Sequence, residues 1–256
     1  MDRSELKEFL DFKVEQYNKP SFIEADPIAV PHRYTFKQDI EISGFLVATI
    51  SWGNRKSIVA NGHRLADLLG NSPYDFVMNH KRKDLIKLES FVHRTFNGED
   101  LIHAVQSLQH LYKSYDDMEA VYARYQTKES LQPAITAFRE AFYSTPVPYR
   151  TQKHVSDPSS GSAAKRINMF LRWMVREDAK GVDFGIWKSI SPSKLSCPLD
   201  VHSGNTARAL GLLKRPQSDA KSVEELDQSL RLLDATDPVK YDFALFGLGV
   251  MEKFAS

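Results

Sequence analysis

The chain has 256 residues, of which 42% are hydrophobic, 26% charged and 11% aromatic, and its formal net charge is +1. That length holds one large domain or two small ones with a sizeable core, and the composition excludes a disordered, collagenous or low-complexity chain. Its longest apolar run, near residues 45–48, is far too short to span a bilayer. Cys197 is the single cysteine, which excludes an intramolecular disulfide, a thiolate zinc site and an iron–sulfur cluster. No metal or other cofactor is expected. Met1-Asp2-Arg3-Ser4-Glu5-Leu6 has no basic segment followed by an apolar one, so the expectation is a cytoplasmic protein rather than a secreted one.

Helical periodicity runs through the chain. Leu6, Phe9, Leu10, Val14 and Tyr17 form one stripe of an N-terminal helix over 3–17. Residues 20–36 read as an irregular connection, and 40–50 is apolar enough for a buried helix. Ile58, Leu65, Ala66 and Leu69 mark the next helix, closed by Gly70 with Pro73 beyond. Leu85, Leu88 and Val92 predict another, and further helices fit 101–112, 118–125, 131–143, 163–176, 201–213, 223–233 and 238–251. No run alternates with period two. Trp52 and Trp173 read as core or interface residues. The fold expected is all-α, with helical subdomains at about 38–145 and 146–256 and the 3–17 helix packed on one of them. The Pro-, Ser- and Gly-rich stretch 144–162 and the segment 189–198 read as specialised turns leading into helices.

A net charge near zero does not advertise a polyanionic partner, but the charge is unevenly placed. Residues 148–176 carry Arg150, Lys153, Lys165, Arg166, Arg172 and Arg176 against Asp157 alone, whereas 217–256 hold eight acids and four bases. Lys81, Arg82, Lys83 and Lys87 form a second basic cluster. On a wheel at 100° per residue, Ala163, Ile167, Phe170, Leu171 and Met174 make a core face, with Lys165 opposite and Arg172 and Arg176 beside it. That face is either solvated or a cationic lining for phosphate or sugar. A lysine among like charges is the setting an amine nucleophile requires. Asp200 precedes a helical pattern and reads as an N-cap, a position that also fixes an ionised carboxylate at a helix start. His202 has no second ligand at metal spacing, and no glycine-rich phosphate loop is present. Cys197 reads as a small buried hydrophobe, and Gly247-Leu248-Gly249 as a site of close packing.

Pro198-Leu199-Asp200-Val201-His202, followed by Arg208-Ala209-Leu210-Gly211-Leu212, resembles the signature of the helix-hairpin-helix DNA glycosylases. There a proline–aliphatic–aspartate–x–histidine turn opens a helix and supplies a catalytic aspartate. Pro158-Ser159-Ser160-Gly161-Ser162-Ala163-Ala164-Lys165 resembles the hairpin and the start of its second helix. Residues 42–74 resemble the early helix pair, with Ser51-Trp52-Gly53-Asn54-Arg55 at the turn whose polar residues enter DNA, and 241–249 resemble the final helix. The chain as a whole resembles an uncharacterised bacterial family of unknown function, with the archaeal 8-oxoguanine DNA glycosylase/lyase as the nearest characterised branch.

The resemblance implies a helix-hairpin-helix element, a cleft between two helical subdomains, and excision of a damaged base from DNA. In that scheme Asp200 stays ionised and stabilises positive charge on the sugar, with His202 as a supporting neighbour. Lys165, or failing it Lys153, forms a Schiff base. The amides of Gly161 and Ser162, with Lys153, Arg166 and Arg172, hold phosphates, and Asn54 or Arg55 fills the space of the extruded nucleotide. The match is incomplete. Ala163 stands where most lyase members carry the lysine, and the hairpin lacks its usual second glycine. Arg208 departs from the common spacing, and the cysteines of the iron–sulfur branch are absent. Two other readings stay open: a non-catalytic DNA-binding module on the same fold, and a helical interaction protein or an enzyme acting on a small molecule.

Overall fold

The computed structural model describes residues 1–254. Its helices in chain order are α1 (Arg3–Tyr17), α2 (Lys37–Thr49), α3 (Arg55–Leu69), α4 (Pro73–Asn79), α5 (Arg82–Ile86), α6 (Gly98–Ser114), α7 (Met118–Tyr125), α8 (Gln132–Phe142), α9 (Lys165–Val175), α10 (Val201–Ala209), α11 (Ala220–Arg231) and α12 (Tyr241–Phe246). One short antiparallel hairpin, β1 (Val92–His93) with β2 (Phe96–Asn97), interrupts them, so the fold is essentially all-α. The connection at 20–36 winds into three 3₁₀ turns, each opened by a proline: Pro20–Ala25, Pro27–Ala29 and Pro31–Arg33. Proline's fixed φ and missing N–H suit the first position of such turns.

The chain forms two compact units. The first comprises residues 23–125 and 134–156. Its centre is α2, whose residues from Asp39 to Thr49 are all buried, as an almost uniformly apolar helix demands. Phe45 meets Phe138 and Phe142 edge-on, and Gly62 of α3 faces Val30 and Val47. The two buried acids of α2 are satisfied: Asp39 accepts from the Tyr74 amide at 2.7 Å, and Glu41 from the Tyr112 hydroxyl at 2.6 Å.

The helix expected across 85–92 is replaced by the short α5, a turn and the hairpin. Only Leu88 of its three apolar markers is fully buried, and Val92 is 55% exposed. The reason lies just downstream. Asn97 and Asp100 form a capping box that starts α6 at Gly98, so the chain has to reverse before that point. Gly98 lies against the Glu89 backbone, leaving no room for a Cβ.

Residues 146–156, expected with the C-terminal half, fold with this unit instead. Arg150 bonds Asn97 and Asp100 at 3.1 Å each, the Thr151 hydroxyl donates to Asp100 at 2.7 Å, and Arg139 donates to the Val155 carbonyl at 3.0 Å. The division therefore falls at 156/157.

The second unit comprises residues 1–22, 126–133 and 157–254, and holds α1 and α9 to α12. Leu10 and Val14 of α1, Cys197, Leu199 and Ala207 around α10, Val223, Leu226 and Leu230 of α11, and Tyr241, Leu245 and Leu248 make one apolar cluster. The pattern over 238–251 is carried as a 3₁₀ turn, α12 and a π turn at Gly247–Met251. Close packing explains the glycines there. A Cβ on Gly247 would fall inside the Tyr17 ring, and one on Gly249 would lie 3.0 Å from the His202 carbonyl oxygen. No helix among the described residues is long and apolar enough to cross a membrane.

Candidate active site

The turn leading into α9 is built from local caps. Asp157 accepts from the Ser159 amide at 2.9 Å and opens the 3₁₀ turn Pro158–Ser160. This 3₁₀ turn, not an α-helix, is the element that enters the expected hairpin. Gly161 follows with φ +91°, a left-handed conformation that glycine adopts without strain. Its carbonyl accepts from the Ala220 amide at 3.0 Å, and Ser162 bridges Asp219, so the turn is pinned to the start of α11. The Ser162 hydroxyl accepts from the Ala164 amide at 3.1 Å. Ala164 is itself left-handed at φ +44°, and the helix begins at Lys165 rather than at 163.

The exposed cationic face expected on α9 is corrected by the structure. Ile167 to Val175 are all buried, Arg172 included, and Arg176 just beyond is 3% exposed. Arg172 is 4% exposed; it pairs with Asp183 at 3.2 Å and with Asp242. Arg176 pairs with Asp183 at 3.1 Å, Asp237 at 2.9 Å and Asp178. Both guanidinium groups also lie over the Phe243 ring, at 4.4 and 5.5 Å. Arg172 is therefore not presented to a phosphate. Part of the imbalance between the basic 148–176 segment and the acidic C-terminal stretch is internal: the cations of α9 meet acids at positions 237 and 242. A buried cation requires such partners.

Asp200 is the N-cap of α10. Its Oδ1 accepts from the Ser203 amide at 3.0 Å, and its own amide donates to the Ser203 hydroxyl at 2.9 Å. The other oxygen, Oδ2, stands 3.8 Å from Lys165 Nζ. The two side chains retain 32% (Lys165) and 30% (Asp200) of their exposure, so a ligand can reach both. One carboxylate thus serves fold and site together, with one oxygen committed to the helix and the other facing an amine.

Asp242, buried and paired with Arg172, feels the charges of both Lys165 and Asp200. Burial pushes its carboxyl up to about 6; Arg172 and Lys165 pull it down, while the charge on Asp200 pushes it further up. Cys197 Sγ lies 3.9 Å from Asp242, and burial drives its thiol well above the ordinary range. Cys197 is a core residue, as expected of a small hydrophobe. Asp242 and Asp183 escaped the sequence reading. For Asp242 the signal was the acid excess over 217–256, which named no residue; Asp183 lies outside that stretch.

Of the remaining candidates in this unit, Gly161 and His202 are exposed, and Ser162 and Arg166 are half-buried. Asn54, Arg55 and Lys153 belong to the other unit. Asn54 is exposed and caps α3 by accepting from the Ser57 amide at 3.2 Å. Arg55 lies 3.5 Å from Asp26, and Lys153 is exposed on the 3₁₀ turn Tyr149–His154. Among the described residues no group of three or more His, Cys, Asp or Glu side chains is arranged to hold a metal ion.

No curated protein and no solved structure matches the chain. A family model described as "Protein of unknown function (DUF2400)" matches residues 26–251. That span reaches into both units and holds every candidate residue named above, and the chain belongs to the DUF2400 family.

Proposed function

We propose that the chain is a DNA glycosylase, with lyase activity if Lys165 delivers its amine. The reading rests on one observation: Lys165 Nζ and Asp200 Oδ2 meet at 3.8 Å in an accessible position, with Asp200 anchored as a helix cap. They are 35 positions apart in sequence and were singled out independently, one as a candidate nucleophile and one as a candidate charge stabiliser.

The chemistry follows from the two groups. An ionised Asp200 opposes positive charge that develops on a deoxyribose as the bond from C1′ to the base breaks, the kind of fixed electrostatic stabilisation that lowers such barriers. The departing base keeps the bonding electrons and takes up a proton. The Lys165 nitrogen, once deprotonated, donates its lone pair to C1′. The C1′–O4′ bond then opens, O4′ takes up a proton and an imine forms; loss of a C2′ proton makes the C2′–C3′ double bond and expels the 3′ phosphate, which nicks the strand. The lysine proton passes to the departing base, so that Asp200 keeps its charge beside the sugar. Without that transfer, water takes the place of the amine and only the base is released. Gly161, Ser162 and Arg166, in the same unit as Asp200, are assigned to phosphates; Arg172 is not.

Borohydride trapping on duplexes bearing an abasic or 8-oxoguanine site tests the proposal. A covalent adduct formed by the wild type and lost in a folded Lys165→Gln variant supports the lyase form. Base release without an adduct, abolished in Asp200→Asn, supports the monofunctional form. Neither product from any damaged duplex, together with salt-sensitive DNA binding, replaces the proposal with a non-catalytic binding module.

A further inference from the structure

Three segments of the 23–156 unit are fastened to one another: the turn at 51–54, the β1–β2 hairpin, and the 3₁₀ turn Tyr149–His154. Trp52 stacks on His154 at 5.9 Å and meets His93 edge-on at 5.3 Å. His93 Nε2 lies 3.3 Å from the Trp52 carbonyl oxygen. Arg150 ties the 3₁₀ turn to Asn97 at the end of the hairpin. These locks make a stiff platform out of what would otherwise be surface loops.

Two side chains on this platform contribute nothing visible to the fold. Arg94, at the hairpin tip, is exposed and makes no hydrogen bond or ion pair among the described residues. Its backbone is left-handed at φ +56°, which costs an arginine on the order of 1 kcal/mol. Its side chain passes close to Gly53, where a Cβ would come within 2.7 Å of Nη1, and its donors stay open. Tyr149 is 88% exposed and likewise makes no hydrogen bond. Glu99, next to the hairpin's end, is engaged by Arg150, and Lys153, one turn from Tyr149, adds a further exposed cation.

The geometry points to a nucleic-acid contact on this platform, in which Arg94 takes a phosphate and the Tyr149 ring stacks on a base. An exposed guanidinium with open donors matches a phosphate. An exposed ring beside cations is the pattern that binds an unpaired strand, since every base offers a π-face. A membrane surface fits less well: Gly53, Asn54 and Thr95 supply polar neighbours rather than an apolar wedge. The inference rests on the reading of the chain as a DNA-acting protein and adds two residues which that reading does not use.

The test is binding of the full-length protein to a labelled abasic duplex and to the matching single strand, followed by anisotropy across a salt series. Arg94→Ala lowers affinity about tenfold and reduces the log–log salt slope by about 1, as loss of one phosphate contact requires. Tyr149→Ala lowers affinity about tenfold with the slope unchanged, and Tyr149→Phe restores it. Lys128→Gln, an exposed charge elsewhere, leaves the slope unaltered. If the wild type binds and neither Arg94→Ala nor Tyr149→Ala changes affinity, the platform proposal is overturned while the glycosylase reading stands on its trapping result. If the wild type binds neither DNA at low salt, both fall together.

Discussion

Asp200 divides its two oxygens between tasks: Oδ1 is bound by the Ser203 amide at 3.0 Å, and Oδ2 faces Lys165 Nζ at 3.8 Å. This separation makes the structural and chemical roles experimentally distinct. Asparagine caps a helix about as well as aspartate, whereas alanine forfeits about 1 kcal/mol. For a chain of this size that is a drop of about 2–4 °C in Tm. Asp200→Asn is expected to melt within about 2 °C of the wild type, and Asp200→Ala to fall by the larger amount. Both lose base release if the negative charge is what the sugar requires. Full activity in a stable Asp200→Asn protein assigns Asp200 to the cap alone.

Arg172 offers the opposite case, a residue that sequence places on DNA and structure places in the interior. Replacing it with methionine leaves Asp183 and Asp242 buried without their shared cation. Breaking a buried pair in this way costs about 3–5 kcal/mol. Urea denaturation of Arg172→Met is expected to show that loss, and any protein that remains folded is expected to keep the wild-type salt slope for DNA. Wild-type stability with weakened DNA binding would instead return Arg172 to a phosphate.

The readable parts of this chain are those where one physical rule acts alone. Asp200 could be named as an N-cap because a lone acid before a helical pattern has few other roles. Helix α7 was bounded correctly, at 118–125, from its apolar spacing. The misreadings come from partners distant in sequence. The wheel put Arg172 on the polar side of α9 correctly, but it holds no information that Asp183 and Asp242 cover that side. Ala164 in a left-handed conformation is equally invisible, since alanine is the best helix former and nothing local announces the strain. Leu85, Leu88 and Val92 imitate a helical stripe, and the competing signal was the Asn97–Asp100 capping box that begins five residues after Val92.

Gly247 is where the chain's first helix meets its last. Because a Cβ there overlaps the Tyr17 ring, Gly247→Ala is expected to cost about 1–3 kcal/mol, the usual range for overpacking. Thermal denaturation checks the size of the loss. Adding Tyr17→Leu, which shortens the opposing side chain, is expected to recover part of it. A loss left unchanged in the double variant would place the strain elsewhere in the π turn.

Asp227 makes stability depend on pH in an unusual direction. Burial pushes its carboxyl up to about 7, opposed by the nearby Ser196 hydroxyl, by the hydrogen bond from the Cys197 amide and by the charge of Arg231, and assisted by Glu224. In the unfolded chain the same group titrates near the ordinary 3.8. Between those values the folded state holds a proton that the unfolded state has released. The contribution of Asp227 to stability is therefore complete below about pH 4 and is lost as pH rises to about 7. Asp242, raised to about 6, acts with the same sign. Carboxylates held low, such as Asp11 and Asp178, act in the opposite direction, so the wild-type profile alone mixes the two. Asp227→Asn separates them. Asparagine retains an oxygen to accept from the Cys197 amide, at 2.9 Å in the wild type, but does not titrate. Chemical denaturation from pH 4 to 7 is expected to show the variant gaining on the wild type by on the order of a few kcal/mol as pH rises. Parallel profiles for the two proteins would mean that Asp227 is ionised throughout the range.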